Sequence, residues 1–222
     1  MTPKEKLLWT LIVISAIGVG LYPIGYSFAV YRQNSLLMTK PWELINNALY
    51  MTAFYTHITW GGIAIITGWS QFIKSWRQKH LTFHRYLGYL YMTAVFISSI
   101  AGFSITFFST GGPVGGVGFG VAAVVWFTTN TMALISIKKG KVKEHERWMT
   151  RNYTLTFSAV TLRILLPLLI LCGFTIPQAL MIVSWLCWTP PVIGMEIYIQ
   201  SQLRRRVKSK PKEDGDFILL NS

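Results

Sequence analysis

Charge is scarce in this chain. Charged residues make up 13% of the 222 positions, against ~25% in an ordinary soluble domain. With 52% hydrophobic residues and a mean hydropathy of +0.42, that scarcity excludes a soluble globular domain and points to a single integral membrane unit. Cysteine is nearly absent. Cys172 and Cys187 lie in or beside apolar runs with no CxxC spacing, which excludes a disulfide framework and leaves small apolar filler as their reading. No HExxH glutamate accompanies the histidines, so a zincin-type hydrolase is not indicated. No long-period repeat is visible. The net charge of +13 does not indicate nucleic acid, because the basic residues fall between apolar runs and at the chain ends, where they orient helices in a bilayer.

The apolar runs are plentiful. Six of them, about 7–30, 47–73, 86–109, 117–137, 152–174 and 180–200, are long enough to cross ~30 Å of hydrocarbon at ~1.5 Å per residue. The first is too long for a signal-peptide core and is read as an uncleaved transmembrane helix. The third and fourth runs are joined by an uncharged, glycine-rich turn at 109–116, and the fifth and sixth by a short uncharged segment around Pro177. The alternate connections are basic. Lys74, Arg77, Lys79 and Arg85 lie in one, Lys138, Lys139, Lys141, Lys143, Arg147 and Arg151 in another, and a third cluster fills the tail from 201 to 222. The expected fold is therefore an all-α bundle of six transmembrane helices with both termini cytoplasmic. Its basic tail is read as partly disordered and suited to anionic lipid headgroups. Pro23, Pro167, Pro190 and Pro191 fall inside runs and are expected to kink them.

Within these runs the polar residues are few, and Arg163 stands out. A charge near the middle of a membrane helix costs several kcal/mol, ~2.5 on the most lenient scale, so it is expected to face the bundle interior. If the fifth helix starts early, His145, Asn152, Thr156 and Arg163 share one face at ~100° per residue. They would then form a polar stripe from the basic end to the midplane. In the second run His57, Gly61, Ala64, Gly68 and Gln71 share a face of small residues that admits a neighbouring helix or a flat cofactor. In the third, His84, Gly88, Tyr91, Ser98 and Gly102 do the same. His80 and His84 are four residues apart, close enough for one metal, although two histidines in a basic loop are more often solvated. Depth groups the candidates. His57 lies ~24 Å and Arg163 ~17 Å from the basic end, where His84 and His145 sit. A cytoplasmic-side pair, His84/His145, and a midplane pair, His57/Arg163, follow.

The segments Thr56-His57-Ile58-Thr59-Trp60-Gly61-Gly62, His84-Arg85-Tyr86-Leu87-Gly88-Tyr89-Leu90-Tyr91, His145-Glu146-Arg147-Trp148-Met149-Thr150-Arg151-Asn152-Tyr153 and Ala159-Val160-Thr161-Leu162-Arg163 together resemble a bacterial multi-pass membrane family of unknown function, numbered 2306. The resemblance covers about residues 50–170. It implies a polytopic protein of the bacterial cytoplasmic membrane and fixes no reaction, nor whether the chain is an enzyme. A more local similarity, of His84-Arg85-Tyr86-Leu87-Gly88, is to transmembrane b-type cytochromes. They hold two haems with four histidines. The three matched histidines here would supply at most one bis-histidine haem b.

Three functions follow as expectations. The first is a haem-binding or redox protein, with His84 and His145 as axial or metal ligands. Arg85, Arg151 or Arg163 would then neutralise propionates or a quinone oxygen, and a quinone or a membrane redox partner would be involved. The second is a transporter of a small anion or a proton, with His57, Arg163, Thr156 and Asn152 as its midplane site. The third is a non-catalytic assembly subunit whose polar residues only hold helices together.

Overall fold

The structure, a computed structural model, describes residues 2–25 and 36–208. The end of the first expected span (26–30) and the tail beyond 208 lie outside them. Among the described residues every regular element is helical: α1 (Pro3–Gly25), α2 (Trp42–Ile45), α3 (Ala48–Gly68), α4 (Lys74–Lys79), α5 (Leu81–Thr106), α6 (Gly112–Lys138), α7 (Val142–Leu171), α8 (Ile176–Leu186) and α9 (Thr189–Lys208), with 3-10 turns at Leu36–Thr39 and Trp69–Phe72. Among the described residues five helical stretches are long and apolar enough to cross a membrane: α1, α5, α6, α7 and the run from Ile176 to Arg205. This is a multi-pass membrane protein. The helix α3 is 21 residues long but more polar, carrying Thr52, Thr56, His57 and Thr59, and its composition does not place it among those five.

The surface is that of a protein in lipid. Leu7, Leu11, Phe107, Leu171 and Ile197 point outward, each more than half exposed. Small or polar residues fill the interior, among them Ala64, Ala94, Ser98, Asn130, Asn152 and Ser184, all with no exposed surface. Without a hydrophobic drive between helices in hydrocarbon, close approach of small residues and interhelical hydrogen bonds must hold the bundle. The helix α1 runs antiparallel to α3, with Ala16 packed near Ile65 and Tyr22 near Ile58. The crossing is at Gly20 and Gly62, where a Cβ on Gly62 would lie 2.6 Å from the Gly20 carbonyl oxygen.

Several helix boundaries differ from the apolar runs. The helices α5 and α7 begin at Leu81 and Val142, well before the runs at 86 and 152, because their polar first turns continue the helix into the interface. The helix α6 begins at Gly112, inside the expected turn, with Pro113 in its first turn where a missing N–H has no cost. The second run stops being α-helical at Gly68 and tightens into the 3-10 turn. The sixth divides at Cys187–Trp188, where Pro190 and Pro191, which lack an amide proton, open the next helix. This helix continues to Lys208, eight residues into the expected tail. The helices α6 and α7 stop at Gly140 and Gly173, whose φ of 70° and 91° suit glycine at the C-terminal cap.

The two ends of the bundle have different chemistry. At the basic end Arg77 pairs with Glu146 at 2.8 Å, tying α4 to α7. Arg151 forms a two-pronged pair with Glu196 (Nε to Oε2 2.7 Å, Nη2 to Oε1 3.0 Å), tying α7 to α9. At the opposite end the contacts among the described residues are uncharged or carry one cation. The Thr39 and Thr110 hydroxyls lie 3.0 Å apart, and Lys40 donates to the Phe108 carbonyl.

Candidate functional site

A cavity of about 320 Å³ opens between α1, α3, α5, α6, α7 and α8, at the small end of the ~300–1,000 Å³ usual for ligand pockets. Its wall is mostly apolar, from residues such as Phe54, Ile105, Phe119 and Leu162, and its polar groups include His57 and Arg163 near mid-depth, Thr156 toward the basic end, and Lys40, Tyr50, Thr106, Ser109 and Thr110 toward the other.

Each polar group is fixed by its helix neighbours. His57 is seated against α5. Its Nδ1 is 2.9 Å from the Ser98 carbonyl, and since a carbonyl only accepts, Nδ1 carries the proton. The Ser98 hydroxyl returns a bond to the His57 carbonyl at 2.8 Å. Room for the ring comes from Gly102, where a Cβ would sit 2.6 Å from His57 Nδ1. His57 Nε2 makes no hydrogen bond among the described residues and is left to the cavity's contents. Arg163 donates from Nη1 to the Ala159 carbonyl, one turn back, at 2.9 Å, and its guanidinium lies 4.5 Å over the Tyr22 ring. His57 and Arg163 are close enough to interact electrostatically. Lys40 lies outside the helices, and burial holds its amine below the ordinary lysine range.

Below the cavity a hydrogen-bonded plug fills the bundle. The Tyr91 hydroxyl donates to Asn152 Oδ1 at 2.5 Å and lies 2.8 Å from the Thr156 hydroxyl. Trp126 Nε1 donates to Thr156 at 2.9 Å, and Asn152 Nδ2 donates to the Trp126 carbonyl and the Thr129 hydroxyl, each at 2.8 Å. Tyr91, Asn152, Thr156 and Thr129 are all buried, and a satisfied network of this kind holds one helix arrangement.

The sequence stripe on α7 is therefore divided by what each residue meets. The helix is continuous from Val142 to Leu171, so His145, Asn152, Thr156 and Arg163 do rise along it. His145 Nδ1 donates to the Ala133 carbonyl at 2.9 Å, Asn152 belongs to the plug, Thr156 to both plug and cavity, and Arg163 to the cavity. At the basic end His84 and His145 are within electrostatic range of each other. The cleft beside His84, which His80 and Gln71 also border, measures about 10 Å³, the space of a single water. Arg85 is exposed and Arg151 is engaged by Glu196 and stacked 4.6 Å over Trp148. Among the described residues no three His, Cys, Asp or Glu side chains gather as for a metal. Sequence reasoning passed over Lys40, Ser98, Tyr91 and Trp126. Ser98 and Tyr91 appeared only as members of a helix face, and no signal in one chain pairs them with α3 and α7.

Fold and cavity together define a multi-pass helical membrane protein with an internal, largely apolar chamber. Residues 54–199 match the family described as "Predicted membrane protein (DUF2306)", and the chain belongs to that family. No curated protein and no solved structure matches it.

Proposed function

We propose that this protein binds a small amphiphile within the membrane, its polar head between His57 and Arg163 and its body along the apolar wall. One observation carries the reading: two polar side chains from different helices, α3 and α7, converge on one cavity whose wall is mostly apolar. Such a chamber suits a ligand that is itself apolar with one polar end.

The membrane frame of this reading is six crossings, with α3 as the second and both chain termini in the cytoplasm of a bacterium. The antiparallel α1–α3 pair and the gathering of basic connections at one end of the bundle support it, the latter through the positive-inside rule. A reporter active only in the cytoplasm, fused after Gln202, should signal, and a periplasmic reporter there should stay silent. The opposite result would remove one crossing from this account.

Binding itself is tested by fluorescence. In lipid nanodiscs, ω-bromoundecanoate, ω-bromoundecyl phosphate or ω-bromoundecanol should quench Trp126, which lines the cavity. Quenching should saturate, should be missing from Trp126→Phe, and should be reduced when Ala123→Phe fills the wall. Quenching by none of these probes beyond that of Trp126→Phe would end the amphiphile reading.

The haem reading has one supporting feature. His145 donates Nδ1–H to a carbonyl, the orientation of an axial imidazole with Nε2 toward a metal. A haem does not fit the cleft of about 10 Å³ beside His84, and Arg151, one of the three expected propionate partners, is held by Glu196.

A further inference from the structure

Resting on the amphiphile reading, we infer that the ligand carries a single anionic head, a carboxylate or a phosphate, and that Lys40 and Arg163 together set this charge preference. The argument begins with where the chain keeps its acids. There are eight Asp and Glu against 21 Lys and Arg. Glu146 and Glu196 are held in ion pairs with Arg77 and Arg151 at the basic end. Glu144 sits beside Lys141 there, and Glu5 accepts from the Thr2 amide. Glu43 is exposed on α2. The remaining three, Glu213, Asp214 and Asp216, follow the described residues, and the stretch 26–35 contains none. None of the described acids lines the cavity, whereas Lys40 and Arg163 both do.

Among the described residues the contacts of these two cations are with neutral groups. Arg163 bonds a backbone carbonyl and lies over an aromatic ring, and Lys40 bonds a carbonyl at the outer end. The same wall carries the Ser109 and Thr110 hydroxyls. In a low-dielectric chamber these charges act over longer range than in water, so an anion entering past Lys40 toward Arg163 is favoured throughout, and a cation is disfavoured. His57, whose Nδ1–H is committed to the Ser98 carbonyl, presents only a lone pair at Nε2; it can accept from the P–OH of a phosphate monoanion and makes no bond to a carboxylate.

The same three brominated probes test this in phosphatidylcholine nanodiscs, with affinities expressed per membrane-bound probe and only Trp126-dependent quenching counted. At least one of ω-bromoundecanoate and ω-bromoundecyl phosphate should bind about tenfold or more tighter than ω-bromoundecanol, and which of the two wins identifies the head group. Lys40→Gln should reduce that advantage about threefold or more while the alcohol is unaffected, and Lys40→Arg should keep it. An alcohol that binds as tightly as both anions, or an advantage indifferent to Lys40→Gln, would overturn the charge assignment while leaving the cavity reading in place. Silence from all three probes would overturn both.

Discussion

Arg163→Leu is expected to leave the protein inserted and folded and to weaken binding of the preferred anionic probe by about thirtyfold or more. The estimate takes about 2 kcal/mol for losing a charge-assisted interaction in a desolvated site, which is about thirtyfold. Folding should not suffer, because leucine is far cheaper than arginine at this depth, and among the described residues the contacts surrendered are one backbone hydrogen bond and the stacking on Tyr22. Size-exclusion profile and thermal midpoint should therefore match or exceed those of the parent. Arg163→Lys keeps the charge but lacks the planar fork, so it should recover part of the affinity. Tyr22→Leu separates the roles: it removes the ring under the guanidinium, and a merely structural arginine would show the same loss there. Unchanged affinity in Arg163→Leu would remove the arginine from the site.

What the sequence displays follows a physical rule. Features set by one helix at a time are legible. The cost of a charge in hydrocarbon directs Arg163 inward, and it lines the cavity. The small face of α3 is visible by spacing, and in the fold Gly61, Ala64 and Gly68 do take up the close approach to α5 and α7. Features that need two distant segments are not legible. Tyr91 and Asn152 are 61 positions apart, and Arg151 and Glu196 are 45 apart. Nothing in either segment alone shows that the pairs meet. Arg151 illustrates the consequence: as an isolated cation near two histidines it resembles a cofactor ligand, but in the bundle Glu196 occupies both prongs of its guanidinium. Lys40 is hidden for another reason. It lies outside every apolar run, and only the folding of the 36–39 turn against Phe108 brings it to the cavity. The break at Cys187–Trp188 was half visible. Two consecutive prolines announce an interruption, but hydropathy alone cannot separate a kink from a new helix.

The largest loss of stability from a small change is expected at Gly68. A Cβ there would lie 2.4 Å from Tyr153 Cε2 and 2.7 Å from Tyr91 Cε2, well inside van der Waals contact. Neither ring has room to withdraw. Tyr153 is buried and donates its hydroxyl to the Ile65 carbonyl at 3.2 Å, and Tyr91 is fully buried and tied into the plug by Asn152 and Thr156. Gly68→Ala must move one of them. Overpacking of this kind costs about 1–3 kcal/mol, and displacing Tyr91 would add about 1–3 kcal/mol by leaving buried Asn152 without its donor. A total near the middle of that combined range, about 4 kcal/mol, should lower the thermal midpoint well beyond error. Gly18→Ala is the control, since nothing lies within 4 Å of its Cβ position, and its effect should stay within about 0.5 kcal/mol. Adding Tyr153→Leu to Gly68→Ala should restore part of the loss, because it removes the nearer of the two clashing rings. If Gly68→Ala proves as benign as Gly18→Ala, the packing of α3 against these rings is looser than described. The plug that closes the chamber toward the basic end would then not be the rigid floor on which the binding site is built.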